Sequence, residues 1–500
     1  MSSPNNQPMD AAVRSRQIAD ALIRHDLGYL VGVFGLNRYV PFHWGLLGHT
    51  PRATPYTPPE HIRLAMEELG PTFAKLGQLL STRADLLPPA YQRELALLQD
   101  RVPSVPSDLI IAIVEAELDG SLTDHFATFE QEPLAAASIG QVHAATLPDG
   151  AAVVVKVRRP GVVAQIEADL TLLKSLARTA QQRWATAEQY DLVALADEFA
   201  RTIRAELDYE QEGRAVERFA TNFSANPSVH IPRVFWSHSS GQVLTLERIE
   251  GMKVTDITAI DAAGVDRSAL ARHATDAILQ MIFEHGLFHA DLHPGNLFIE
   301  MDERIALIDF GMIGTVSDDP RDALASIILA VLHHDYDQLV DALLALGFAR
   351  QRVDRRALRA DMARLLAPYY GRTLDEIALG PLMEAAFATI RTHQLQLPPD
   401  LVLLLKTLIM SEGMGAQLDP RFRLSEAIAP YARRLIRQRY APMRLAREMA
   451  SAGQVMVGMG LEFPAQLRQI LTEIEHTGLW VSMQPEGMEP DPAARRAVGE

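Results

Sequence analysis

Asp291 and Asn296 lie five residues apart in His289-Ala290-Asp291-Leu292-His293-Pro294-Gly295-Asn296, and thirteen residues further on the chain reads Asp309-Phe310-Gly311. Phosphoryl transfer needs one carboxylate to orient or deprotonate the acceptor, and further oxygen ligands to hold Mg²⁺ against the phosphates of a nucleotide. Asp291 and Asn296 on one loop can serve both ends of that geometry. Asp309, at the end of the next apolar run, completes a metal-holding pair with Asn296. Another chemistry competes for the same residues. His289, Asp291 and His293 form H-x-D-x-H, a spacing that suits a hydrolytic metal centre. That reading needs further His or Asp ligands from other strand ends, and it leaves Asn296 and Asp309 without a role.

The order D-x-x-x-x-N followed by D-F-G matches the kinase signature set. A nucleotide grip lies upstream, where Val153-Val154-Val155-Lys156 resembles the V-A-I-K strand that carries a phosphate-binding lysine. An ammonium on such a strand needs a carboxylate partner. Glu206-Leu207-Asp208-Tyr209-Glu210-Gln211-Glu212 offers several, with Glu206 and Glu212 both candidates. Glu247-Arg248-Ile249 ends a further strand, where a hinge would offer backbone groups to adenine.

The elements that must hold these residues change character along the chain. Residues 22–36 read as an amphipathic helix, packed on the body or lying on a membrane surface. Residues 60–101 read as helices broken at Gly70-Pro71 and Pro88-Pro89, and 108–117 as another helix. From about 127 to 157 the pattern is strand, turn at Pro148-Asp149-Gly150, strand. Helix returns over 160–220, strands are expected at 230–237 and 242–249, and 266–285 is helical. Two short apolar strands flank the 289–296 loop, and from 318 onward the pattern is nearly all helical. That is an α+β organisation.

Composition excludes several classes. The chain has 500 residues, a net charge of -16 and a pI near 5.5, so no basic excess is available to neutralise nucleic-acid phosphates. Cysteine is absent, which removes disulfides, thiolate metal sites and cysteine nucleophiles. Of 47 basic residues only five are lysines: Lys75, Lys156, Lys174, Lys253 and Lys406. In so arginine-rich a chain, a lysine standing in a motif carries added weight. The N-terminus has no basic segment followed by an apolar core, so no secretory signal is expected. The apolar runs at 327–332 and 401–405 are far shorter than the ~20 residues that span a bilayer, so no transmembrane segment is expected. The location expected is cytoplasmic, at most peripheral on the inner membrane.

Over about residues 60–440 the chain resembles the UbiB/AarF (ADCK-type) atypical kinases. Three motifs carry the resemblance. Lys75-Leu76-Gly77-Gln78 matches K-x-G-Q, with Lys75 and Gln78 on one helix face. Ala135-Ala136-Ala137-Ser138-Ile139-Gly140-Gln141-Val142 resembles an Ala-rich loop standing where ordinary kinases have glycines. Its methyl groups stiffen the backbone and limit its approach to phosphate. Glu206-Leu207-Asp208 matches E-x-D, which in the family meets the K-x-G-Q helix across the active site. The fifty residues between Lys156 and Glu206 fit that family's inserted helices.

The resemblance implies a two-lobed protein-kinase-like fold with ATP and Mg²⁺ as cofactors. Lys156 would hold the α- and β-phosphates, Asp309 and Asn296 the metal, and Asp291 would be the base-like carboxylate. The Ala-rich loop, Glu206, Asp208, Glu212, Glu247 and Ile249 would surround the nucleotide, and Lys75 and Gln78 would reach the catalytic cleft. K-x-G-Q occludes the protein-substrate site in this family, which favours ATP hydrolysis or action on a small molecule. The implied organisation is an N-terminal tail and helix (1–56), a helical extension (57–126), an N-lobe with inserted helices (127–250), a C-lobe (251–440) and C-terminal helices and tail (441–500). The implied partners are prenylquinone-type lipids, a membrane surface and biosynthetic enzymes of ubiquinone or related isoprenoid pathways. Many bacterial members end in transmembrane helices, and the sequence shows none here. Two other functions compete. A small-molecule phosphotransferase of the aminoglycoside/choline-kinase kind shares H-x-D-x-x-x-x-N but lacks K-x-G-Q and the Ala-rich loop. A non-enzymatic, nucleotide-gated lipid-binding scaffold would need no turnover at all.

Overall fold

A computed structural model of the chain describes residues 11–36, 56–98, 103–183, 191–316 and, with interruptions, 323–434. The C-terminal helices and tail expected over 441–500 lie outside the described residues, as does much of 1–56.

Helices precede the first sheet: α1 (Ala11–Arg24), α2 (Gly28–Val33), α3 (Pro58–Leu69), α4 (Pro71–Thr82), α5 (Pro89–Leu95), α6 (Ser107–Leu118) and the single turn α7 (Leu122–His125). The helix expected over 22–36 is two helices. The chain turns at Asp26, in the left-handed region at φ 57°, and Leu27 bonds back to Leu22. Its apolar face is spent on the body of the protein: Ile18, Leu22, Leu27 and Val31 are buried with Ala65, Leu69, Phe73 and Leu176. Gly70, at φ 93°, ends α3 where a side chain would be strained, and Pro71 opens α4 at a position whose N–H is not needed.

The N-lobe sheet follows: β1 (Thr128–Phe129), β2 (Ala135–Ala136), β3 (Gly140–Thr146) and β4 (Ala152–Arg158). It is completed, after helices α8 (Val162–Arg183), α9 (Leu192–Glu206) and α10 (Tyr209–Phe223) and the short β5 (Val229–His230), by β6 (Val243–Glu247). The order is β1-β3-β4-β6, with β2 also on β3, and every pair is antiparallel. The strand expected over 230–237 is mostly irregular. Pro232 has no N–H to give a ladder, and beyond it only a Val234–Leu246 bridge remains.

The C-lobe begins with β7 (Met252–Lys253), α11 (Ile257–Ala262) and α12 (Arg267–Gln280), the last capped by Asp266, which accepts from the amides of Ser268 and Ala269. Then come β8 (Leu287–His289), β9 (Leu297–Ile299), β10 (Ile305–Leu307) and β11 (Ile313–Thr315), arranged as a β5-β10-β9-β7 sheet and a β11-β8 pair. Helices Tyr336–Leu346, Arg355–Leu366, Leu379–Thr392 and Pro399–Leu418 complete the described part. The last is twenty residues long and apolar enough to cross a bilayer by length and composition, a run that the sequence windows miss because Lys406 and Thr407 interrupt it. Half of its apolar window is buried within the protein, where Leu403, Leu404 and Met414 join the core that holds Phe288 and Phe310. The architecture is a protein-kinase-like, two-lobed α+β fold with helices added before and after it.

One buried ionic knot ties the added helices to each other. Asp169 of α8 has no exposed side-chain surface and accepts from Arg14 Nε at 2.6 Å and Nη2 at 3.0 Å, and from Thr72 Oγ1 at 2.7 Å. Arg14 Nη2 also donates to the Leu69 carbonyl at 2.7 Å. Four helices, α1, α3, α4 and α8, thus meet around one carboxylate.

Candidate active site

Strand alternation places Lys156. Val153, Val155 and Val157 of β4 point into the core with no exposed surface, so Lys156 between them faces the other way. Its Nζ donates to both carboxylate oxygens of Glu212, at 2.9 and 2.8 Å, and to Oδ1 of Asp309 at 3.1 Å. Of the two candidate partners, Glu212 therefore pairs with Lys156, while Glu206 pairs with Lys75 at 3.2 Å. The phase of α10 decides this. Asp208 caps that helix by accepting from the amides of Glu210 and Gln211, which turns Glu212 inward until only 2% of its side chain is exposed.

Three charged groups thus meet at one point. Burial works against the Lys156 ammonium, but Asp309 and Glu212 outweigh it and hold its pKa well above the ordinary lysine range. Burial pushes the Glu212 carboxyl up against the pull of Lys156, and the neighbouring Asp309 charge adds to the rise. Lys156 draws the Asp309 carboxyl well below the usual range, with Lys75 adding to the effect. The Tyr209 ring lies under the ammonium, 5.2 Å from it, a further attraction for a cation.

The loop carrying Asp291 is held from below. His289 is fully buried, donates from Nε2 to the Ile308 carbonyl at 3.1 Å and accepts the Asp291 amide on Nδ1 at 3.3 Å. Burial lowers its pKa, so the ring is neutral. It packs on Phe310, and Phe310 packs on Phe219 of α10, with centroids 5.3 and 5.0 Å apart. That stack joins the helix bearing Glu212 to the loop bearing Asp291. His293 caps the 294–296 turn by accepting the Gly295 amide at 3.0 Å. Both imidazoles are thus committed to the fold, and among the described residues no group of three His, Asp or Glu side chains is arranged to hold a metal. The H-x-D-x-H hydrolase reading is set aside on this geometry.

Asn296 is buried. Its Nδ2 donates to the Asp291 carbonyl at 3.1 Å, which assigns the amide oxygen, the atom able to ligate a cation, to the opposite side. Its own carbonyl accepts the Ile308 amide at 3.1 Å and so abuts the strand end that delivers Asp309. One carboxylate and one amide oxygen suit Mg²⁺, which keeps several waters and takes its remaining ligands from phosphates. The donor set fits that group. Asp309 itself sits at φ 59°, a left-handed conformation unusual outside glycine.

The Ala-rich loop only partly faces this cluster. Ala135 and Ala136 form β2, Ala137 closes the turn by donating to the Gly140 carbonyl at 2.8 Å, and Val142 lies opposite Lys156. Ser138 and Ile139 are buried, Ile139 among Ile166, Phe199 and Ile203 of the inserted helices. Gln141 also turns away: its Oε1 accepts the Val105 amide at 2.9 Å and its Nε2 meets His143 at 2.8 Å. The Ile139 and Gln141 side chains thus pack within the fold. Gly140 has no room for a side chain. A Cβ there would stand 2.2 Å from Tyr209 Oη and 2.8 Å from the Val157 carbonyl. Since one of those obstacles is backbone, Gly140→Ala should destabilise the protein by about 1–3 kcal/mol. A urea midpoint equal to that of the wild type would contradict this.

Gln78, Asp208 and Glu247 each have a side-chain partner within the fold. Gln78 donates to the Leu98 carbonyl at 2.9 Å, so it anchors the segment after α5. Asp208 is occupied as a helix cap. The Glu247 carboxylate accepts from the Arg233 amide at 3.1 Å and faces His230 at 3.4 Å, away from Lys156, while Ile249 is half-buried just beyond β6. Gly77 of the same K-x-G-Q run has a packing reason. A Cβ there would come within 2.2 Å of Leu98 and 2.7 Å of Met66, so α3, α4 and the segment after α5 close over it. Two residues at the site lie outside every motif. Tyr209 stands among acids that draw more notice, and Lys406 Nζ lies 3.8 Å from Asp291 Oδ1. The one signal for Lys406 is its rarity, as one of five lysines in the chain.

Known proteins resemble this chain over most of its length. The ABC1 atypical kinase-like domain matches residues 97–343, and the UbiB helical domain matches residues 362–423. The chain is 36% identical over 461 residues to a Xanthomonas axonopodis pv. citri protein named probable protein kinase UbiB, covering 88% of this chain and 82% of that one. A Xylella fastidiosa (strain 9a5c) protein of the same name is 39% identical over 394 residues, 78% of this chain and 71% of its own. A Mycobacterium tuberculosis protein solved in complex with erythromycin superposes with a TM-score of 0.50 at 24% identity, covering 74% of this chain and 94% of its own, a likeness of fold. With the matched domains and relatives spanning most of its length, the chain belongs to the UbiB/ABC1 family of atypical kinases.

Proposed function

We propose that this protein binds Mg-ATP and transfers or hydrolyses its γ-phosphate, in support of ubiquinone or another prenylquinone pathway. The observation that carries the reading is Lys156 bridging Glu212 and Asp309 at hydrogen-bond distance. A lysine so placed presents a charge to phosphate oxygens, and Glu212 keeps its stem from swinging away. Asp309 and Asn296 would hold Mg²⁺, which on binding supplies neutralisation of phosphate charge. Asp291 orients the acceptor and accepts its proton. Everything else is positioning by the fold, which is most of what phosphoryl transfer asks of a protein.

The Lys75–Glu206 pair favours hydrolysis or a small acceptor over a protein substrate. It puts the K-x-G-Q helix beside the reacting groups, and Lys75 is close enough to act on Asp309. The UbiB name of the relatives favours the quinone pathway. Membrane lipid and other biosynthetic enzymes are the partners this reading implies.

The purified chain should gain thermal stability with Mg-ADP and release phosphate from Mg-ATP, more so with anionic liposomes, and EDTA should remove the activity. Absence of both the stabilisation and the phosphate release would end the reading. Prenylquinone content in a deletion strain, restored by wild type and not by Asp309→Asn, tests the pathway separately.

A further inference from the structure

Three of the chain's five lysines stand at this one site. Lys156 meets Glu212 and Asp309, Lys75 meets Glu206, and Lys406 meets Asp291 at 3.8 Å. Lys406 comes from the helix Pro399–Leu418, inside the segment matching the UbiB helical domain and outside the segment matching the kinase-like domain. That helix is apolar along its length, with Asp400, Lys406 and Glu412 its only charged residues. Leu403 and Leu404, just ahead of the lysine, are buried in the core that also holds Phe288, Leu292 and Phe310. The base of Lys406 is therefore fixed relative to the loop carrying Asp291.

Stability does not explain this lysine. Lys406 and Asp291 keep 29% and 42% of their side-chain surface exposed, and their separation exceeds a hydrogen bond, so the pair contributes little to folding. The loop itself gives Asp291 no cation, since His293 is committed to the Gly295 amide. The Asp291 backbone is pinned by His289 and Asn296, while Lys406 is the partner its carboxylate has among the described residues.

We propose that Lys406, supplied by the helical domain, is a positioning residue for Asp291, holding its carboxylate in the orientation that receives the acceptor's proton. The inference rests on the phosphoryl-transfer reading above. In that reaction the acceptor oxygen bonds to the γ-phosphorus. The bond from that phosphorus to the β,γ-bridging oxygen breaks with its electron pair going to ADP, and the acceptor proton passes to Asp291. A compact ammonium on a flexible stem can follow the carboxylate through that change, which a rigid guanidinium does less well.

Two variants test it. Lys406→Met keeps the apolar stem, and its kcat should fall about 10- to 100-fold. Its KM for ATP and the stabilisation by Mg-ADP should stay within about twofold of wild type, because the lost interaction belongs to the reacting state. Lys406→Arg should recover part of the loss. A lysine with only a structural role would instead lower the melting midpoint and leave kcat alone. A readout independent of turnover is ¹³C-dimethyl labelling of the five lysines. The Lys406 signal, identified by its loss in Lys406→Arg, should shift in Asp291→Asn while those of Lys174 and Lys253 stay. Wild type that neither binds nor turns over ATP removes the reading and the inference together. Active wild type matched by Lys406→Met, or a Lys406 signal indifferent to Asp291→Asn, overturns the positioning role and leaves the reading standing.

Discussion

Asp309→Asn should cut nucleotide turnover about 10³-fold, close to 4 kcal/mol of barrier, while the chain remains folded. Asparagine is the apt substitution for two reasons. It matches the shape of the carboxylate, and it tolerates the left-handed backbone that Asp309 adopts at φ 59°, where alanine would be strained. Only the charge goes. Lys156 keeps its two hydrogen bonds to Glu212, so the strand and helix stay joined. What disappears is the carboxylate that Lys156 holds ionised far into the acid range. The pH dependence of stability supplies a second check. A carboxylate whose folded pKa lies below its unfolded value stabilises the fold above the unfolded pKa of about 3.9, and the contribution is lost as pH falls through the folded value. Wild type should therefore lose more stability below pH ~4 than Asp309→Asn does. Phosphate release at equal rates by the two proteins would remove Asp309 from the chemistry.

What the sequence disclosed of this site depended on how locally each feature is encoded. Asp291, Asn296 and Asp309 were legible because their spacing alone sets the loop and the strand end that bring them together. Lys156 was legible because a β-branched run fixes its alternation. The choice between Glu206 and Glu212 was not, since it turns on where α10 begins. Asp208, read as a residue near the nucleotide, is the cap that sets that beginning. Ile139 and Gln141 belong to a motif whose neighbours face the cluster, yet both turn toward the inserted helices or the Val105 segment. No periodicity in so short a turn could announce this. Lys406 was beyond reach for a different reason. Its meeting with Asp291 is a tertiary contact between matched segments far apart in the chain, and only its rarity marked it. The fold class followed from the alternation of helical and strand patterns. The helix break at Asp26 and the irregular run that begins at Pro232 came instead from single residues that override pattern.

Asp169→Ala should cost about 3–5 kcal/mol of stability, the penalty for breaking a buried ion pair by removing one member. Asp169 accepts three hydrogen bonds with no side-chain surface in water, and its loss leaves Arg14 almost fully buried without a counter-charge. Asp169→Asn should cost less, since the amide oxygen can still accept from Thr72. The consequence reaches the site through one turn of helix. Thr72, which donates to Asp169, lies three residues before Lys75 on α4, and Lys75 holds Glu206. Loosening the knot should therefore free the K-x-G-Q helix before it unfolds the kinase-like core, because that core is packed separately around Phe288 and Phe310. Hydrogen exchange checks this order. Amides of α1 and α4 in Asp169→Ala should exchange faster than in wild type while those of β4 and α12 keep their protection. Uniform loss of protection would mean that the added helices and the kinase-like fold are one cooperative unit. Protection unchanged throughout would mean that the apolar contacts of Ile18, Leu22 and Phe73 hold these helices without the knot.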